Sequence, residues 1–194
     1  MQDTAIRQQI IDVLREGAEL RLHMTESAID VIIQASHALH DCLKSGGKIL
    51  LFGNGGSAAD AQHMAAEFVC RFGRERKPLA AIALTTDSSA LTAIGNDYGF
   101  ERIFSRQIQA LCDSGDVAVA ISTSGRSPNV LDAVRAAREC GATTIALTGA
   151  SSEGLVELVD IPIMVPSTNT ARIQECHITI GHIMCEIVDC LLGI

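Results

Sequence analysis

The stretch GKILLFGNGGSAADAQHMAAEFVCRF, Gly47–Phe72, carries the pattern that decides the fold. Its apolar run, Lys48 to Phe52, reads as a short buried strand. The turn Gly53-Asn54-Gly55-Gly56 follows, and a helical pattern then runs from Ser57 to about Phe72. A strand, a tight turn and a helix N-terminus make an anion cradle. The first N–H groups of the helix lack partners and the macrodipole favours negative charge there. Glycine reaches positive φ and lets backbone approach a ligand closely, and Ser57 fits the N-cap. The turn is not a dinucleotide fingerprint, because Ala58 stands where the third glycine of GxGxxG belongs. It is not an NTPase loop either, because no Gly-Lys-Ser/Thr closes it. A plain glycine-rich strand-to-helix turn fits these residues as well as an anion site does. His63 and Glu67, at i and i+4, share one helix face. That pair can hold a metal, act as acid and base, or be a surface ion pair.

The 194 residues suffice for one sizeable core and are short for two, so residues 1–194 read as a single domain. Hydrophobic residues make up 47% and aromatics only 3%, so Ala, Ile, Leu and Val must fill the core. That composition suits a parallel sheet covered by helices. A formal net charge of −8 argues against a general nucleic-acid surface but permits a locally positive phosphate site. Seven scattered cysteines with no CxxC pair read as reduced, buried thiols of a cytoplasmic protein. No basic-then-apolar leader opens the sequence, and no apolar run reaches the ~20 residues that span a bilayer, so no membrane partner is expected.

Outside the central stretch, residues 3–21 form an amphipathic helix, and a second, capped by Thr25, runs from Ala28 to Leu43. These N-terminal helices, within residues 1–45, precede an α/β core at 46–194. Further strands are expected at Leu79–Leu84, Val117–Ile121, Thr143–Leu147 and Ile161–Val165. Helices are expected at Ala90–Ile94, at about Glu101–Cys112, from Pro128 to Gly141 with Ser127 as N-cap, near Leu155, and at about Thr170–Leu192. Gly95-Asn96-Asp97-Tyr98-Gly99 reads as a turn cluster.

Strands alternating with helices argue for a doubly wound, five-stranded parallel sheet in the flavodoxin-like order 2-1-3-4-5. Ligands bind outside the carboxyl ends at the switch point, between strands one and three. The loops arriving there are Gly53–Ser57 and the hydroxyl-rich Ser122-Thr123-Ser124-Gly125-Arg126-Ser127. Their neutral donors and backbone N–H groups suit phosphate oxygens. The last helix carries Arg172, Gln174, Glu175, His177 and His182 among apolar neighbours. His182 can meet His63 and Glu67, or simply pack between helices. Glu175 lies about 20° from His182 around an ideal helix and Gln174 about 80°, so spacing alone favours Glu175 as its companion.

The segments GNGGSAADAQHMAAEF, LTTDSSALTAIGNDYGFERIFSRQ, ISTSGRSPNVL and ARIQECHITIGHIMCEIV resemble the sugar isomerase (SIS) domain and, within it, the bacterial phosphoheptose isomerases. They span most of the chain from Lys48 onward. The STSG loop is shared widely, whereas its combination with AQHxAAE and RIQExHxxxxH is specific. The resemblance implies an aldose–ketose isomerase that converts sedoheptulose 7-phosphate to D-glycero-D-manno-heptose 7-phosphate. That is the first step towards ADP-heptose and the lipopolysaccharide core. It implies a homotetramer with sites shared between subunits and one Zn²⁺ per subunit, held by His63, Glu67, Gln174 and His182. Gln174 thereby replaces Glu175. The resemblance also makes Asn54, Gly55, Gly56, Glu67, Asn96, Asp97, Ser122, Thr123, Ser124, Ser127 and Gln174 substrate contacts. Many relatives carry Asn where this chain has Arg126.

Isomerisation needs proton transfer at C1 and C2 and a counter-charge for the enediolate. Glu67 and His182 are the expected catalytic pair, with Gln174 or Asp60 as helpers. The rival reading is a catalytically inactive SIS tetramer that binds the bacterial replication initiator protein. That branch shares GNGGSAA and RIQE but loses the metal-binding His and Glu, which are present here. A sugar-phosphate sensor without turnover is a third reading.

Overall fold

Ala- and β-branched-rich runs that bury both faces become the strands of a computed structural model describing residues 2–193. Strands β1 (Ile49–Gly53), β2 (Ala81–Ala83), β3 (Val117–Ser122), β4 (Thr143–Gly149) and β5 (Ile161–Val165) form one sheet. Every pair is parallel and the order is β2-β1-β3-β4-β5, as the sequence predicts. Every residue of β1 and β3 is buried.

Successive side chains point to opposite faces, so each strand feeds two cores. Ile49, Leu51, Val117, Val119, Ile145 and Ile163 face helices α2 (Ile29–Lys44), α3 (Gly56–Val69) and α8 (Thr170–Leu191). Leu50, Phe52, Ala118, Ala120 and Ala146 face α5 (Ser105–Leu111) and α6 (Pro128–Glu139). A short α7 (Glu153–Val156) precedes β5. Helix α1 (Gln2–Ser27) lies outside this sandwich and touches α8 and α2.

Several expected boundaries shift. Thr25 does not cap α2; its hydroxyl donates to the Leu22 carbonyl inside α1. Ala28 bridges the two helices, donating to Met24 O and accepting from Ile32 N, each at 3.0 Å. Strand β2 shrinks to three residues. The expected turn at Gly95–Gly99 is mostly helix: α4 runs Ser88–Tyr98 from an Asp87 cap and stops only at Gly99, with φ 92°. The helix expected at Glu101–Cys112 breaks into a 3₁₀ turn, Phe100–Arg102, and α5.

Candidate functional site

The cleft lies at the carboxyl ends of β1 and β3. Its floor depends on backbone that only glycine supplies. Gly55 has φ 58°, and a Cβ at Gly53 would sit 2.6 Å from Ile121 O. Gly55 occupies the N-cap of α3, so Ser57 is not the cap; it lies one residue inside the helix, buried, and lines the cleft. Ser127 does occupy the N-cap position of α6 with Pro128 after it, but its hydroxyl makes no capping bond and stands 3.5 Å from Ser122 Oγ. Ser122 Oγ also accepts from Gly125 N at 3.2 Å.

Asn54, Gly55, Gly56, Ser122, Thr123, Ser124, Ser127 and Gln174 together line this open cleft of about 290 Å³. Among the described residues no charged side chain lines it, so an anion bound there is met by hydroxyls, amides and helix N-terminal N–H groups. Arg126 is exposed and lines an adjoining recess instead. A residue that sequence reasoning missed braces the two loops. Asn129, buried in the first turn of α6, exchanges amide hydrogen bonds of 2.8 and 2.9 Å with Asn54. Nothing in an Asn after Pro128 marks it out in the sequence.

Helices α3 and α8 pack side by side. Gly56 lies against the Gln174 amide, which a Cβ there would approach to 2.4 Å. Two turns further, about 10 Å along ideal helices, Gly181 admits Met64. This close approach brings His63, Glu67 and His182 together, with one ligand atom from each within 4.8 Å of the others. His182 Nε2 is 3.1 Å from His63 Nε2, and His63 Nε2 is 3.2 Å from Glu67 Oε1. Phe72 packs on His182 with ring centroids 5.4 Å apart. Two imidazole nitrogens and a carboxylate oxygen form a donor set that Zn²⁺ accepts. Bonds of 2.0–2.1 Å in tetrahedral geometry put ligand atoms about 3.3 Å apart, close to both observed separations. The residues present therefore fit a divalent metal.

Gln174, rather than Glu175, faces the cleft. Glu175 turns back to Arg172 and stands against Gly17 of α1, because α1 crosses α8 at that level. Helical spacing misleads here because residues a full two turns apart meet different neighbours. Gln174 does not touch the His–Glu–His group through any hydrogen bond of the described residues; it stands at the cleft end of the same helix pair. Asn96 and Asp97 are exposed on α4, bond to each other at 2.7 Å and do not line the cleft.

Two further titratable groups lie on the same two helices. Asp60, one turn before His63, has a buried Oδ2 without a partner. Burial raises its pKa, opposed by His63. His177 on α8 is wholly buried and neither ring nitrogen makes a hydrogen bond. Burial lowers its pKa to about 4, outweighing the Thr148 backbone, which acts the other way.

A parallel sheet whose switch-point loops form a hydroxyl-lined cleft defines the SIS class, and residues 14–149 match the SIS domain family. The phosphoheptose isomerase of Aquifex aeolicus is 53% identical over 182 residues, covering 94% of this chain and 95% of that protein. The structure of the Neisseria gonorrhoeae phosphoheptose isomerase superposes with a TM-score of 0.89 at 46% identity, covering 95% of this chain and 98% of that one. That of Francisella tularensis gives a TM-score of 0.91 at 40% identity, covering 94% and 97%. The chain belongs to the phosphoheptose isomerase family and is an isomerase.

Proposed function

We propose that this chain interconverts sedoheptulose 7-phosphate and D-glycero-D-manno-heptose 7-phosphate, supplying the heptose precursor of lipopolysaccharide in the cytoplasm. The observation that carries the reading is the convergence of His63, Glu67 and His182 two turns along α3 and α8 from the serine cleft. An extended sugar phosphate reacts at one end and carries its phosphate at the other, and the two centres likewise lie apart along the α3–α8 pair. Ser122, Thr123, Ser124 and Ser127, with Asn54, Gly55 and Gly56, hold the phosphate end by hydroxyls and N–H groups. Their neutrality leaves the dianion's charge to oriented dipoles.

His63, Glu67 and His182 hold Zn²⁺, with Gln174 as the fourth donor; that role requires the Gln174 amide to leave Gly56. A metal held there would supply Lewis-acid polarisation of the sugar's oxygens. Glu67 and His182 carry the proton between C1 and C2. A side chain that also binds metal is a weakened base, so Asp60 or Gln174 shares the relay or orients the sugar. Asn96 and Asp97, remote from their own cleft, serve a site completed across a homotetramer interface.

Turnover of sedoheptulose 7-phosphate before chelation, after chelation and after zinc add-back tests this reading. Loss and zinc-specific recovery are expected. Inactivity of folded, zinc-supplied protein would overturn it in favour of an initiator-binding module. Glu67→Gln and His182→Gln are each expected to abolish turnover while preserving the circular dichroism spectrum.

A further inference from the structure

Glu67 sits in the last turn of α3, where helix carbonyls lack intrahelical partners and the turn frays unless it is held. Arg76, in the irregular segment after α3, reaches back to this turn. Its Nη2 donates to Glu67 O and its Nη1 to Phe68 O, both at 2.8 Å. Its Nε donates to Asp189 Oδ1 at 2.7 Å. Asp189 belongs to α8, seven residues beyond His182 and thus on the same helix face. Both side chains are almost wholly removed from solvent, at 2% and 10% exposure. A surface ion pair does little, but a buried guanidinium fork bonded on three sides fixes geometry.

We propose that Arg76 and Asp189 are positioning residues that set the distance between Glu67 and His182, and so the metal affinity of the site. Arg76 closes the C-terminal turn of α3 through the Glu67 carbonyl, and Asp189 ties that turn to α8. Neither residue lines the serine cleft or belongs to the His63–Glu67–His182 group. The proposal rests on His63, Glu67 and His182 being the metal site. Partners one shell out from ligands commonly change metal affinity by about 10- to 100-fold.

The test titrates zinc-free protein with Zn²⁺ against a chromogenic chelator, and records circular dichroism and melting temperature. Removing one partner alone leaves a buried charge and risks unfolding. The main variant is therefore the double substitution Arg76→Met with Asp189→Leu, which keeps apolar volume in the gap. Expected is a near-native melting temperature with zinc affinity reduced at least about tenfold. Arg76→Lys keeps a cation for Asp189 but not the fork across two carbonyls, and should also lose zinc affinity. Unchanged zinc affinity in either folded variant would overturn the proposal. So would a fall in zinc affinity matched by a general loss of melting temperature in both variants. Failure of the unaltered protein to bind zinc would overturn the metal reading itself, and is read before any variant.

Discussion

His177 has no hydrogen-bond partner for either ring nitrogen and no contact with water, so its charged form is strongly disfavoured in the fold. Its folded pKa is about 4 against an ordinary value of 6.5. A depressed folded value means that the unfolded chain takes up the proton first as pH falls. The stability at stake is therefore whole above pH 6.5 and is lost progressively towards pH 4. The difference corresponds to about 3 kcal/mol. Denaturant titrations at pH 7 and pH 4.5 should show this loss, and His177→Leu should flatten it. At Gly56, an added Cβ first meets the end of the Gln174 side chain, which can move. Gly56→Ala should therefore change melting temperature little yet raise KM by about tenfold, because the added methyl crowds the cleft that Gly56 lines, a loss of about 1.4 kcal/mol. Helical spacing put His63 and Glu67 on one face and loop position put the serines at the switch point, but spacing alone left the pair open between a metal site and a surface ion pair. The sequence was silent on Asn129 and Arg76, because their roles arise from partners 75 and 113 residues away.

Asp116 shows how one carboxylate organises the amino ends of β1 and β3. Its Oδ1 accepts from Lys48 N at 2.9 Å, its Oδ2 accepts from Asp113 N at 2.8 Å, and Lys48 Nζ lies 2.7 Å away. Burial alone would raise its pKa, but the two backbone donors and the Lys48 ammonium together lower it. Burial likewise works against the Lys48 charge, and Asp116 and Asp113 overcome it, raising that pKa. The signs follow. The Asp116 contribution is present above the unfolded carboxyl value and disappears as pH falls through the lower folded value. The Lys48 contribution is present below the unfolded amine value and disappears as pH rises through the higher folded one. Asp116→Asn should destabilise by about 2 kcal/mol at pH 7 and blunt both dependences. Chemical denaturation across pH 2–11 measures this. Strand existence and order were readable because apolar runs and turn signals are local. The end of α4 was not: Gly95-Asn96-Asp97 has turn composition, yet an Asp87 cap and packing of Leu91 and Ile94 on the core carry the helix through it.

Five strands alternating with helices fit the flavodoxin-like order, and the observed order β2-β1-β3-β4-β5 agrees, so the switch point was predictable before any side chain was placed. The purpose of α1 was not, because the N-terminal part of its apolar stripe stays exposed among the described residues. Only Gly17, Leu20 and Met24 of its described side chains are buried. Ile10 is 56% and Leu14 69% exposed, with Ile6 and Val13 also in water. Burying one such side chain contributes about 1.5–3 kcal/mol, a gain available here only through another molecule. In the proposed homotetramer, copies of α1 cover this stripe. Ile10→Glu with Leu14→Glu would place two charges in that contact, where desolvation opposes assembly. Light scattering coupled to size exclusion should report a tetramer for the unaltered protein and a smaller species for the double variant. The α/β core, which does not rest on these residues, should keep its circular dichroism. If the proposed shared site holds, turnover should fall with assembly, because that site would need Asn96 and Asp97 from across the interface. A double variant that stays tetrameric would remove α1 from the contact, and a monomeric unaltered protein with full turnover would refute the shared site.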